Sequence, residues 1–221
     1  MSILTLRDII YSYADGTSNV LNGINYQFEK GKFYAIVGSS GAGKSTLLGL
    51  LAGLDTPTGG QILFDDQDIA EQSYSHHRKH NISLVFQNFN LIDYLTPLEN
   101  LKLVNAKATN ETLHIMGLDD DHIHRNVMKL SGGQQQRVAI GRALVSHAPI
   151  ILADEPTGNL DETTAADIID ILRRAAHENN KCVIVVTHSK QLAKQADVVL
   201  TLKNKLLQKS KEDKKSARKK V

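Results

Sequence analysis

The chain has 221 residues, 41% of them hydrophobic, which can build a globular core, and its single cysteine, Cys182, excludes an intramolecular disulfide. No run of about 18 apolar residues could cross a bilayer, and the first ten residues lack the order of a secretory signal, so a soluble cytosolic protein is predicted. The formal net charge of +2 includes a basic segment at 203–221 with a net charge of +7, which leaves −5 for the rest and argues against a nucleic-acid-binding core.

Short β-type runs alternate with turn clusters at the start of the chain. The runs "ILTL", "INYQF" and "KFYAIV" predict strands, because clusters such as "ADGTSN" and "EKGK" separate them. Between residues 47 and 54 the leucines recur at helical spacing, and this stripe ends near Gly53. The glycine-rich segment in between is therefore predicted to join a strand to a helix.

That segment, "GSSGAGKS", fits the pattern G-x-x-x-x-G-K-[ST], with Gly38, Gly43, Lys44 and Ser45 in the fixed places. An ordinary Gly/Ser turn is the alternative, but glycines here allow backbone N–H groups to converge on phosphate oxygens at the positive end of a helix dipole. Lys44 is predicted to neutralise the β- and γ-phosphates, and the Ser45 hydroxyl to ligate Mg²⁺. The other predicted nucleotide contacts of the loop are Ser39, Ser40, Gly41, Ala42 and Thr46.

Later apolar runs predict a parallel sheet. Strands are expected at "QILF", "SLVF", "IILAD" and "CVIVVTH", and the last two are continuous apolar runs, as in central parallel strands covered on both faces. Between residues 97 and 128 only helical patterns occur. This stretch is predicted to be a small helical subdomain inserted in an α/β body.

Polar side chains follow three of these predicted strands. Asp154 ends one strand and is expected to reach the Mg²⁺ shell, while Glu155 could accept a proton from an attacking water. Gln87 and His188 stand at the ends of two other strands, where side chains reach the same crevice. An exposed glutamine and a histidine bonded to neighbouring backbone are the structural alternatives for these two.

A second glycine pair identifies a family. "LSGGQ", from Leu130 to Gln134, resembles the signature motif of the ATP-binding cassette (ABC) ATPases, and the resemblance covers residues 3 to 202. It implies that Tyr13 stacks on adenine, that Gln87 is the Q-loop glutamine at Mg²⁺, and that His188 is the switch histidine. It also implies that "GNLD", which ends at Asp161, is the D-loop.

The resemblance implies a P-loop NTPase fold of the α/β class, with a mainly parallel central sheet, an N-terminal antiparallel sheet and an inserted helical subdomain. The ATPase core would comprise 1–88 and 129–203, and the helical subdomain 89–128. In this family two cassettes pair head to tail, so Ser131, Gly132 and Gly133, together with Gln134, would close over ATP bound at the partner's loop 38–46. ATP and Mg²⁺ are the expected cofactors, and a second copy of the chain is the expected partner.

Phrases around these motifs narrow the group. "VFQNFNLIDYLTPLENL" and "ILADEPTGNLD" resemble the group that serves macrolide and peptide exporters, lipoprotein release and bacitracin-type systems. The resemblance implies export of a peptide, lipid-linked or drug-like substrate through a separate transmembrane permease, at the cytoplasmic face of the membrane. The alternative is a mechanotransmitting or peptide-sensing ATPase that moves no substrate. Residues 89 to 101 would line the permease cleft, or else pack locally in the core.

The chain closes with a basic stretch at 204–221. It has few apolar residues and is predicted to be a solvated, disordered tail. Attraction to an anionic membrane leaflet or to RNA is the alternative, although no nucleic-acid partner is expected from the acidic body.

Overall fold

The computed structural model describes residues 1–14, 18–158 and 160–210. Within these residues the strands are β1 Ser2–Tyr11, β2 Leu21–Glu29, β3 Phe33–Val37, β4 Gly59–Phe64, β5 Gln67–Asp68, β6 Ile82–Val85, β7 Ile150–Asp154, β8 Cys182–Val186, β9 Val198–Lys203 and β10 Leu206–Lys209. The α-helices are α1 Lys44–Leu51, α2 Tyr74–His80, α3 Pro97–Lys102, α4 Asn110–Ile115, α5 Asp120–Ile123, α6 Gly132–Leu144, α7 Glu162–His177 and α8 Lys190–Gln195. A short 3₁₀ helix, Val127–Lys129, precedes α6.

The strands form two sheets. A four-stranded antiparallel sheet has the order β2-β1-β4-β5, and a six-stranded sheet has the order β10-β9-β3-β8-β7-β6. In the larger sheet all neighbouring pairs are parallel except β10 and β9. A hydrogen bond from the Asn22 N–H to the Lys205 carbonyl, 3.0 Å, joins the two sheets at one edge. The predicted combination of antiparallel and mainly parallel sheets is confirmed.

The central strands are apolar on both faces because two hydrophobic clusters cover them. Along β8, Cys182 and Ile184 pack in the cluster shared with the antiparallel sheet and α1, whereas Val183 and Val185 pack in the cluster shared with α6 and α7. Every residue of β8 is buried. Burial raises the pKa of the Cys182 thiol, so this cysteine packs as a small apolar side chain.

The segment from Pro97 to Lys129 is built from short helices. Thr96 caps α3 in a capping box with Glu99, and Pro97 occupies the first turn, where a missing N–H costs nothing. Leu113 of α4 and Ile123 of α5 lie in the same hydrophobic cluster as α6, so these helices pack directly onto the α/β body. No helix among the described residues is long and apolar enough to cross a membrane.

The prediction of a solvated tail from residue 204 is wrong for its first residues. Asn204 and Lys205 both have positive φ, 51° and 66°, which is the backbone of a tight two-residue hairpin turn. This turn lets β10 pair with β9, and Leu207 becomes buried in the core cluster. The many charges of this stretch led to the wrong prediction, because Leu207 is the one apolar side chain of residues 204–210 that is buried. Residues 211–221 lie outside the described part of the chain.

Candidate functional site

The carboxyl ends of β3, β6, β7 and β8 meet at one edge of the parallel sheet, where a cavity of about 670 Å³ opens. This is the edge at which open α/β sheets bind ligands. The lining residues are Tyr13, Val20, Ser40, Gly41, Gly43, Lys44, Ser45, Thr46, Gln87, Asp154, Glu155, Gly158 and His188.

The loop between β3 and α1 requires its glycines for reasons internal to the chain. Gly43, the N-cap of α1, has φ 95°, and a Cβ there would lie 2.9 Å from Val20 Cγ1. A Cβ at Gly38 would lie 2.6 Å from the Leu202 carbonyl oxygen, and Gly41 has φ 74°. An L side chain would be strained or would clash at each position. Because these positions lack side chains, the loop backbone packs closely against Val20 and Leu202 and leaves its N–H groups open to the cavity, as phosphate binding requires.

Lys44 brings a positive charge to the floor of this cavity. The residue is only 7% exposed, and its ammonium group donates hydrogen bonds to the carbonyls of Gly38, 3.2 Å, and Ser39, 3.1 Å. Its Nζ also lies 3.1 Å from His188 Nε2. The loop carbonyls thus hold the Lys44 ammonium group in a position where it and the loop N–H groups could bind the same anion.

Asp154 and Ser45 bring two side chains with oxygen atoms to the same cavity as Lys44. Burial raises the pKa of Asp154, a hydrogen bond from Ser45 and the charge of Lys44 lower it, and the charge of Glu155 raises it further. A half-buried carboxylate and a hydroxyl fit the oxygen preference of Mg²⁺, and Gln87, whose amide carries a further oxygen, lines the same cavity. When bound there, Mg²⁺ would supply positive charge to phosphate oxygens.

Glu155 is held in a strained conformation. Its φ is 44°, uncommon for a residue with a side chain and typical of functional turns. Oε2 accepts hydrogen bonds from the Thr187 hydroxyl and the His188 N–H, both 3.1 Å. Oε1 is buried without a hydrogen-bond partner, and His188 Nε2 lies 3.6 Å away, beyond hydrogen-bonding distance. The carboxylate is therefore oriented through one oxygen, while the other retains its capacity to accept a proton.

Tyr13 stands at the mouth of the cavity. Its hydroxyl lies 2.7 Å from Thr46 Oγ1, and its ring packs edge-to-face on Tyr11 with centroids 5.2 Å apart. The ring is half exposed, which leaves a face free for a flat aromatic ligand. Val20 adjoins it, a lining residue that the sequence analysis missed because a lone valine in a loop belongs to no motif.

The second glycine pair lies elsewhere. Ser131 is the N-cap of α6, and it forms a capping box with Gln134 in which the side-chain oxygen of each residue accepts a hydrogen bond from the backbone N–H of the other. Asp161 caps α7 in the same manner, by accepting from the Thr164 N–H at 3.0 Å. None of the signature residues 131–134, nor Asp161, lines the cavity. The structure brings together most of the other predicted site residues: Tyr13, Ser40, Gly41, Gly43, Lys44, Ser45, Thr46, Gln87, Asp154, Glu155 and His188. Gly38, Ser39 and Ala42 of the loop do not line the cavity.

Comparison with known proteins agrees with this geometry. Residues 21–158 match the family model described as ABC transporter. The lipoprotein-releasing system ATP-binding protein LolD of Legionella pneumophila is 41% identical over 90% of this chain and 94% of its own length. The macrolide export ATP-binding/permease protein MacB of Brucella melitensis is 38% identical over 91% of this chain, which spans about a third of that relative, 33%.

Solved structures are similar over nearly the whole chain. A structure titled as the dimeric form of MJ0796, a bacterial ABC transporter cassette, has a TM-score of 0.84 and 35% identity, and covers 94% of this chain and 98% of its own. A second structure of that cassette, in a post-hydrolysis state bound to ADP and Pi, has the same TM-score with 34% identity. The chain belongs to the ABC transporter family. It is an ATP-hydrolysing subunit of such a transporter, with ATP and Mg²⁺ as its cofactors.

Proposed function

We propose that this chain powers export of a peptide, lipid-linked or drug-like substrate through a separate membrane subunit, by ATP-driven dimerisation at the cytoplasmic face of the membrane. The relatives' names support this group, since LolD belongs to a lipoprotein-releasing system and MacB to macrolide export. The name of MacB joins ATP binding with a permease, which supports a permease as the partner of this cassette.

Each group of cavity residues has its own role in the proposed reaction. Lys44 and the loop N–H groups bind the β- and γ-phosphates, and Tyr13 stacks on the base. Ser45, Asp154 and Gln87 hold Mg²⁺. Glu155, fixed through Oε2 by Thr187 and His188, accepts the proton of the attacking water at Oε1. His188, 3.1 Å from Lys44 Nζ, senses the γ-phosphate beside it.

The observation that supports a dimer most directly is the exposed N-terminus of α6, which lies outside the cavity of its own chain. Ser131 and Gly132 are exposed, and a Cβ on Gly132 would meet only Phe89 Cζ at 3.8 Å. A Cβ on Gly133 would make ordinary contacts of 3.5 Å and 3.6 Å with Thr164 and Leu160. Among the described residues, therefore, nothing demands glycine here, whereas a ligand held by another chain would. Two half-sites, joined head to tail, would then make each complete site, and the cassette MJ0796, to which this chain is similar, is described as dimeric.

A groove of about 590 Å³ offers a docking place for the permease. Its floor is apolar, with Ile82, Leu84 and Phe86, and its rim carries Arg78, Lys79, His80, Arg142 and His147. Such a surface fits an amphipathic permease segment with acidic side chains. Of the stretch 89–101, Asn90 lines this groove, whereas Asn100 and Leu101 are fully buried and pack locally. The permease contact of this stretch stays a proposal for its exposed part.

Mixing two inactive variants tests the shared site. Lys44→Ala removes the phosphate charge and Ser131→Arg blocks the signature, so each alone should lose ATPase activity. A one-to-one mixture forms heterodimers with one intact composite site, and statistical pairing predicts recovery of about a quarter of the wild-type rate. The steady-state ATPase rate over a series of protein concentrations measures this recovery.

The double variant Lys44→Ala/Ser131→Arg provides the matched control. Mixed with Ser131→Arg it offers no intact signature, so no activity should return. Absence of recovery in the first mixture, or a wild-type rate in Ser131→Arg alone, contradicts the shared site.

A further inference from the structure

Gln136 of α6 is a buried amide without a partner. The residue is 2% exposed, and neither its Nε2 nor its Oε1 makes a hydrogen bond. It faces a narrow crevice that it shares with Gln87, Phe89, Glu155, Pro156, Gly158 and Leu160. The crevice has no volume accessible to a water molecule, so solvent does not satisfy the amide there. A buried amide left in this state costs free energy that a paired one would not.

The third unpartnered buried atom in the described part of the chain borders the same crevice. Glu155 Oε1 needs a donor, and the Nε2–H group of Gln136 needs an acceptor. The two atoms are chemically complementary, and both residues line the crevice between α6 and the segment that follows β7. Chance is a poor explanation for finding all three unpartnered buried side-chain atoms of the described residues on one crevice, since most buried polar groups in proteins are paired.

The crevice walls are also strained. Phe89, with φ 58°, and Glu155, with φ 44°, both hold left-handed backbones, and Asn90 follows with φ 50°. Arg142 of α6 ties the helix to this strained loop, because its guanidinium donates to the carbonyls of Asn90, 2.7 Å, and Phe89, 3.2 Å. A shift of the loop would therefore move with α6 and change the width of the crevice. Strain and unpaired groups concentrated in one place are features of an element with two arrangements.

We propose that Gln136 is a positioning residue for Glu155: when ATP binds, the crevice closes and the Gln136 Nε2–H donates a hydrogen bond to Glu155 Oε1. The carboxylate is then held at both oxygens, by Thr187 and His188 on one side and by Gln136 on the other. One lone pair of Oε1 stays available for the water. This inference rests on the proposed role of Glu155 as the proton acceptor, and it links the signature helix to the reaction centre of its own chain.

The test replaces the amide by an apolar side chain of similar length, Gln136→Met. Turnover should fall about 10- to 100-fold, because a loosely oriented base loses that much, while KM for ATP stays unchanged. The melting temperature should remain equal or rise, since no hydrogen bond of this conformation is lost. Gln195→Met, an exposed glutamine at the end of α8, is the matched control and should keep wild-type values of all three quantities.

Two further variants keep the outcome decisive. Gln136→Glu cannot donate and brings a second carboxylate to the crevice, so its kcat should fall below that of Gln136→Met. Gln136→Leu repeats the apolar replacement with a second side chain, in case methionine packs poorly in the crevice. A lower melting temperature in both apolar variants with wild-type kcat, or wild-type kcat and stability in Gln136→Met, overturns the proposal.

A Glu155→Gln background separates this inference from the proposed function. Glu155→Gln alone should accumulate an ATP-bound dimer, and adding Gln136→Met should leave the dimer fraction unchanged, because Gln136 acts through the base. Loss of the dimer only in the double variant assigns Gln136 to the interface and overturns the inference. Normal turnover in Glu155→Gln itself would remove the proposed role of Glu155.

Discussion

Two helices in this protein have glycine at their start, Gly43 as the N-cap of α1 and Gly132 as the first residue of α6, and the surroundings of these glycines differ. At the start of α1, Gly43 has φ 95°, and Val20 leaves no room for a Cβ. At the start of α6, Gly132 and Gly133 have room for a methyl group within the chain. The first helix start lies in the cavity with Lys44, whereas the second is exposed and caps itself through Ser131.

The difference teaches that a free helix N-terminus is only part of an anion site. The dipole of α1 acts together with a buried ammonium group, two carboxylates and a covering aromatic ring, so the cavity can both bind phosphate and support its hydrolysis. At α6 the chain supplies neighbouring N–H groups and space, but this helix start does not line the cavity that contains Lys44, Asp154 and Glu155. We infer that the second helix start is completed by the nucleotide of another copy.

The largest expected effect is a loss of ATP hydrolysis, without loss of ATP binding, in the cavity at the start of α1. Glu155→Gln keeps the hydrogen-bonding shape of the side chain but removes the base, so kcat should fall by about 10²- to 10⁴-fold with ATP affinity retained. Size-exclusion chromatography with ATP and Mg²⁺ should then show a dimer that wild-type chain forms only transiently. A variant that still turns over at the wild-type rate would show that Glu155 is not the base.

The intermediate effect contrasts the two glycine positions directly. Gly43→Ala forces a methyl group into a left-handed backbone against Val20 and should cost about 1–3 kcal/mol of stability along with most of the ATP affinity. Gly132→Ala should leave the melting temperature unchanged, because its helical backbone and 3.8 Å nearest contact tolerate a Cβ, yet lower the ATPase rate of the dimer. Thermal unfolding and nucleotide titration of both variants measure the contrast. Equal destabilisation by the two changes would abolish it.

The smallest effect sharpens the role of Ser131. Ser131→Ala removes the N-cap of α6 and should cost about 1 kcal/mol of stability, with a fall in melting temperature of about 2–4 °C. Asp119→Ala removes the cap of α5, a comparable helix start away from the nucleotide, and serves as the control. Both variants should lose similar stability, but only Ser131→Ala should also lose ATPase activity. Parallel losses of activity in the two variants would reduce Ser131 to a structural cap.

Much of the cavity could be predicted from sequence because its residues sit at strand ends. The run "IILAD" predicts a buried strand and so delivers Asp154 and Glu155 to the sheet edge, and the same reasoning places Gln87 and His188 there. The hairpin of β9 and β10 was missed, since the turn at Asn204 and Lys205 depends on two left-handed residues within a charged stretch. Val20 was missed as well, because its place beside Gly43 results from long-range packing.

The sequence by itself determined the glycine loop, the cap of α6 and the polar residues that follow the parallel strands, since these features depend on neighbours a few residues apart. Only the tertiary structure decided that Lys44 meets His188, that the signature glycines have free space, and that the Gln136 amide and Glu155 Oε1 border one crevice without partners. Such facts depend on how segments distant in sequence pack against each other, and local spacing carries no information about the gaps that packing leaves.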